Sequence, residues 1–246
     1  PRMIYSIKLH SIFNILRIII HLNKTYIILQ SIACSSCYFT GDPQMIEFHS
    51  SWKADEEEDL RRQVLKHMRV IPDFISEEEE ISLLSEVEPQ LKRMRYEFDH
   101  WDNAIEGYRE TERRAWSERN SVTLARARSV AFEPRAELLP HAHVLDLAPA
   151  GHIRPHVDAV RFCGDTIAGL CLLSGAVMRL ALEARPALAL DALLPRNVPL
   201  CHGPVRYRFT HAVLSNEQSA WRGAALRKAR RVALILRQAP GAPPPA

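Results

Sequence analysis

Between residues 142 and 237 the chain is written in short apolar runs, 142–148, 153–158, 166–173, 177–183, 187–194, 205–213 and 230–237, that alternate with Gly, Pro and Asp. That spacing fits strands rather than core helices, and it predicts a mainly β domain of the double-sheet jelly-roll type, the double-stranded β-helix. Helices are expected ahead of these runs, flanking the sheet. Ser76 with Glu79 three residues on makes a capping box, and Ile81, Leu84, Val87 and Leu91 continue a helical stripe that Pro89 is expected to kink. A second helix is predicted over residues 117–130, ending before Glu133 and Pro134.

The second run contains His156, Val157 and Asp158. On an extended strand, side chains two apart point to the same side, so His156 and Asp158 can grip one ion while Val157 packs behind them. His211, from a later run, can supply a third ligand from a neighbouring strand. Two imidazoles and one carboxylate on one face of Fe(II) leave coordination positions open for a chelating cosubstrate and for dioxygen. An H-x-D triplet alone is common by chance, so the weight rests on the whole set. Residues 231–237 read R-V-A-L-I-L-R, which puts Arg231, Ala233, Ile235 and Arg237 on one face and Val232, Leu234 and Leu236 on the other. Two arginines on a strand are usually solvated or paired with surface acids. If buried, they need anionic partners, and a dicarboxylate such as 2-oxoglutarate offers a planar carboxylate at each end.

The stretches H-V-L-D-L-A-P-A-G-H-I-R-P-H-V-D, T-I-A-G-L-C-L-L-S, V-M-R-L, R-Y-R-F-T-H and R-R-V-A-L-I-L-R, with R-Y-E-F-D-H-W-D-N-A-I-E-G-Y-R-E-T-E upstream, carry a family resemblance. From about Val70 to about Arg237 the chain resembles the AlkB family of iron and 2-oxoglutarate dioxygenases, most of all a mitochondrial member found in animals. The resemblance implies that His156, Asp158 and His211 ligate iron, that Arg231 holds the distal carboxylate of 2-oxoglutarate, and that Arg237 lies near its keto-acid end. It also implies a location in the mitochondrial matrix and a link to programmed necrosis after alkylation damage and to fatty-acid metabolism. Two departures stand out. Many relatives place polar cosubstrate contacts where this chain has Leu145 and Leu147, and the nearest relatives have a tyrosine where this chain has Pro199, which offers neither a backbone N–H nor a phenol.

Family members that repair alkylated bases cover the nucleobase with a lid ahead of the first metal histidine. Here residues 132–142 are short and offer no aromatic clamp for a flipped base, which favours a protein side chain as substrate. A demethylase of mitochondrial RNA is the alternative enzyme, and a signalling or scaffold protein that keeps the metal site is the non-catalytic one. The expected state is a monomer.

The net charge is only +3, but it is unevenly spread. From residue 197 onward eight Lys or Arg face Glu217 alone, whereas residues 71–120 carry fourteen acids against seven bases, so the two halves can attract each other. No run of basic and aromatic residues marks a nucleic-acid groove. Five cysteines, an odd number, make no disulfide framework, and Cys34 and Cys37 alone are weak evidence for zinc. His141, His143 and His152 are read as histidines facing the core or capping strands, one of them placed to support a ligand. Residues 1–41 hold no Asp or Glu but hold Arg2, Lys8, Arg17 and Lys24, the balance of a mitochondrial transit segment rather than of a membrane span. Residues 1–69 are accordingly expected to be an extension, with a short solvated helix after the acids at 55–59. The dioxygenase domain is expected over 70–238, with a disordered tail at 239–246.

Overall fold

The computed structural model describes residues 41–98, 103–196, 199–201 and 203–241. Residues 1–40, where the expected transit segment and Cys34 and Cys37 fall, and residues 242–246 lie outside the described residues. Among those described, no helix is long and apolar enough to cross a membrane.

The strands are β1 (Ile46–Phe48), β2 (Arg69–Val70), β3 (Ile105–Arg113), β4 (Ala142–His156), β5 (Ile167–Leu172), β6 (Ala176–Leu182), β7 (Arg185–Leu194), β8 (Pro199–Cys201), β9 (Phe209–Val213), β10 (Ala220–Trp221), β11 (Ala224–Ala225) and β12 (Arg231–Arg237). Among the described residues three α-helices accompany them: α1 (Ala54–His67), α2 (Glu77–Leu91) and α3 (Glu118–Ala131). The antiparallel sheet runs β1-β7-β6-β9-β4-β12-β5-β8-β2, with β3 also on β4. β4 joins the two halves of this jelly roll. Its first part pairs with β12 through residues 143–147, and its last part pairs with β9 at Ile153 and His156.

That switch explains why β4 is one continuous strand where two short ones are expected. Pro149 and Ala150 are exposed at the crossing, where a missing N–H costs nothing, and β3 follows through a bulge between Glu106 and Tyr108. Gly107 takes φ +63° there, and Gly151 lies so close to the Gly107 carbonyl that a side chain at 151 would collide with it.

The two faces of the sheet build two cores. Leu83, Val87 and Leu91 of α2 and Leu124, Ala127 and Ala131 of α3 pack on Val144, Leu170, Leu172, Val232, Leu234 and Leu236. The opposite, inner face carries Leu145, Leu147, Cys171, Met178, Leu180 and Phe209. Ser76 caps α2 with the expected reciprocal pair to Glu79, and Pro89 falls in its last turn, two residues from its end, rather than at a mid-helix kink.

Two expectations are corrected, and one strand was not expected. Residues 46–68 are not an extension. β1 pairs with β7, and Trp52, Val64 and Met68 are buried in the inner core, because Leu60 and Val64 turn one face of the acidic helix α1 inward. The strand expected at 205–213 begins at Phe209, since Gly203–Tyr207 form a 3-10 turn. β3 lacks apolar alternation and so escapes a reading by hydropathy. Its outward charges are satisfied by ion pairs, Arg109 to Asp146 at 2.7 Å and Arg113 to Glu86 at 2.8 Å.

Candidate active site

β4 and β9 place His156 and His211 directly opposite each other, with ring centroids 4.3 Å apart. Asp158, just past the end of β4, puts Oδ1 3.4 Å from His156 Nε2 and 3.9 Å from His211 Nε2. One ligand atom from each residue lies within 4.8 Å of the others, the only such three-residue group of metal-binding side chains among the described residues. His156 Nδ1 lies 2.9 Å from the Arg154 carbonyl, which can only accept, so Nδ1 carries a proton and Nε2 is the nitrogen turned toward Asp158. Two ring nitrogens and a carboxylate oxygen thus converge within reach of one ion, and with Nε2 deprotonated they form a donor set that fits a divalent metal. Burial alone would push the Asp158 carboxyl up, but the His156 ring and the charges of His211 and Arg237 hold it well below the usual carboxylate range.

The loop carrying Asp158 is clamped by Arg206, a residue of the 3-10 turn before β9. Its buried guanidinium donates to the carbonyls of Asp158 at 3.0 Å, Cys163 at 2.7 Å and Gly164 at 2.8 Å. Arg206 thus ties the aspartate's loop to the strand that carries His211. Sequence reasoning passed over it inside R-Y-R-F-T-H, where nothing distinguishes a clamp from a surface charge.

β12 lies between β4 and β5, with its expected two faces intact. Arg231 points inward and is buried, opposite Leu147. Nη2 donates to Cys171 Sγ at 3.1 Å, while Nε has no hydrogen-bond partner. No acidic side chain among the described residues pairs with it. A buried guanidinium left in this condition fits a carboxylate ligand, because an uncompensated buried charge is costly. Leu145 and Leu147 line the same inner face, 3% and 0% exposed, so the polar contacts expected of relatives are absent from β4. Tyr108 of β3 packs opposite Leu147, but its hydroxyl lies 3.3 Å from Glu97 Oε2. Pro199 sits on β8 opposite Leu170.

Arg237 reaches the cleft from the other end of β12. This cleft of about 460 Å³ is bordered by His156, Asp158, Arg154, Phe162, Cys163 and Arg237. The structure therefore brings His156, Asp158 and Arg237 to one cleft, with His211 against His156 and Asp158, and sets Arg231 on the inner wall. His141 and His152 stand apart from it, facing Glu112 at 3.2 Å and Glu106 at 3.9 Å.

No family model matches the chain. It is 47% identical over 182 residues to the mouse protein named alpha-ketoglutarate-dependent dioxygenase alkB homolog 7, mitochondrial, covering 74% of this chain and 80% of that one. The bovine protein of the same name is 47% identical over 172 residues, covering 70% of this chain and 78% of its own length. Among solved structures, that of OsALKBH1 superposes with a TM-score of 0.51 at 13% identity, over 70% of this chain and 98% of that one, a likeness of fold alone.

Proposed function

The chain belongs to the AlkB family of 2-oxoglutarate-dependent dioxygenases, and from that membership we propose that His156, Asp158 and His211 hold its Fe(II), that Arg231 and Arg237 seat 2-oxoglutarate, and that it oxidises a protein side chain. The family uses Fe(II), 2-oxoglutarate and dioxygen. When bound, these supply oxidative decarboxylation to succinate and carbon dioxide and the power to oxidise a C–H bond. His156 and His211 present nitrogen lone pairs, and Asp158 a carboxylate, to one side of the metal, leaving the other side to ligands. Arg231 fixes the far carboxylate in the apolar inner barrel, where Leu145 and Leu147 exclude water, and Arg237 balances charge at the cleft. The observation that best supports this reading is the convergence of the three ligand atoms, with Arg231 buried on the inner face and paired with no acid among the described residues.

A protein substrate is supported by the shoulder of the cleft. Val160 and Phe162, on the loop after Asp158, are 58% and 55% exposed, an apolar rim suited to a polypeptide. Phe162 is the one non-histidine aromatic bordering the cleft among the described residues, and a flipped base calls for stacking on both its faces. The mitochondrial names of the relatives support the mitochondrion as the compartment, and we extend this to the matrix. Roles in programmed necrosis and fatty-acid metabolism belong to the same proposal and follow from the family resemblance.

With Fe(II), 2-oxoglutarate and air, the wild-type chain is expected to release succinate, and His156→Ala and Asp158→Ala are expected to release none. Wild-type output from either variant contradicts the assignment. Peptides from mitochondrial extracts are expected to stimulate the release; stimulation by methylated RNA and not by peptide would replace the protein substrate with RNA.

A further inference from the structure

A line of polar side chains crosses the inner face and ends on Arg237 in the cleft. His143 Nε2 on β4 lies 2.7 Å from Glu110 Oε2 on β3, and His143 Nδ1 lies 3.0 Å from Arg237 Nη1 on β12. A guanidinium only donates, so Nδ1 must accept, and the ring's proton must then be on Nε2, where it is given to Glu110. Both ends of the imidazole are thereby fixed.

The backbone ladders dictate this line. His143 is opposite Ile235 of β12 and Glu112 of β3, so Arg237 and Glu110 are each the next residue on the same face of their strands. Long side chains bridge such diagonals across antiparallel neighbours. Arg237 has a reason to need holding. The Asp158 carboxylate borders the same cleft, and an unrestrained guanidinium there would swing onto it and compete with a metal for the same oxygens. His143 gives it another acceptor, well oriented, in a half-buried place.

We propose that Glu110 and His143 are positioning residues, a carboxylate–imidazole relay that fixes the Arg237 guanidinium in the cleft for the anionic cosubstrate. This rests on the reading of Arg237 as a 2-oxoglutarate contact. His143 is then neither a metal ligand nor a filler of the core; it sets how tightly the pocket holds 2-oxoglutarate.

The test is calorimetric titration of 2-oxoglutarate into the anaerobic, Fe(II)-loaded full chain, with melting temperature and Fe(II) affinity measured alongside. His143→Asn keeps an acceptor near the Nδ1 position and is expected to bind within a few fold of wild type. His143→Ala removes it and is expected to weaken binding by about tenfold or more, the range typical of lost supporting partners. Glu110→Ala, which leaves the imidazole in place, is expected to weaken binding severalfold with melting unchanged, and it serves as the test should His143→Ala fold poorly. Wild-type affinity in both His143→Ala and Glu110→Ala overturns the relay, as does His143→Asn binding as weakly as His143→Ala. Loss of binding in Arg237→Ala with wild-type affinity in the relay variants separates the two ideas, leaving the Arg237 contact standing; wild-type affinity in Arg237→Ala overturns both.

Discussion

Arg231 is a cation buried by its own fold, with a thiol as its hydrogen-bond partner. An arginine in that position is a burden on the apo protein and an asset only when a carboxylate arrives. Replacing a buried charge with an apolar side chain of similar volume is often neutral or stabilising. Arg231→Met is therefore expected to melt at or above the wild-type temperature without cosubstrate, yet to lose the stabilisation that saturating 2-oxoglutarate gives the wild type. Arg231→Met melting several degrees lower in the apo form would show that the arginine has a structural partner instead. As candidates, His156 and Asp158 are legible from their two-residue spacing and Arg231 and Arg237 from their shared strand face, while the family resemblance implies His211 and the role of each. Arg206, His143 and Glu110 are not legible, since their partners lie on strands or carbonyls that no local pattern names.

At the scale of elements the site depends on strands held in register by helices on their backs. Glu79 of α2 takes a paired contact from Arg126 of α3 at 2.8 and 2.9 Å, and it also closes the capping box with Ser76. The bond from Arg126 holds the Glu79 carboxyl below its ordinary value of 4.5. A carboxyl depressed in the folded state stabilises it above its unfolded value, and that contribution is lost as pH falls through the depressed folded value. The melting difference between wild type and Arg126→Met should thus be widest near neutral pH and should narrow as pH falls below that ordinary value. A gap that persists unchanged at pH 3 would mean packing, not the ion pair, joins α2 to α3. The capping box made α2 readable from its sequence, and the apolar runs made most of the jelly-roll strands so. β3 was hidden because ion pairs, not apolar alternation, pay for its burial, and the crossing in β4 was read as a break because Pro149 and Gly151 look like one.

At the scale of the whole molecule the described residues from 41 onward fold around two cores that share β4, β5 and β12. The acidic segment after residue 54 looked solvated from its sequence because its charges outnumber its apolar residues, but Leu60, Val64 and Met68 seal the inner core. Met68 is 1% exposed, so Met68→Ala is expected to cost roughly 2–5 kcal/mol of unfolding free energy, read from denaturant melts. A cost near zero would return residues 46–68 to the role of an appendage. The proposed function requires that iron and 2-oxoglutarate bind together at the site framed by β4, β9 and β12. Anaerobic titration of the full chain with Fe(II) and then 2-oxoglutarate tests it most directly, followed by the visible metal-to-ligand charge-transfer band. In the wild type the band is expected to saturate at one equivalent of iron, to be absent in Asp158→Ala and to be weakened in Arg231→Met; no band in the wild type, or an equal band in Asp158→Ala, would overturn the proposed function.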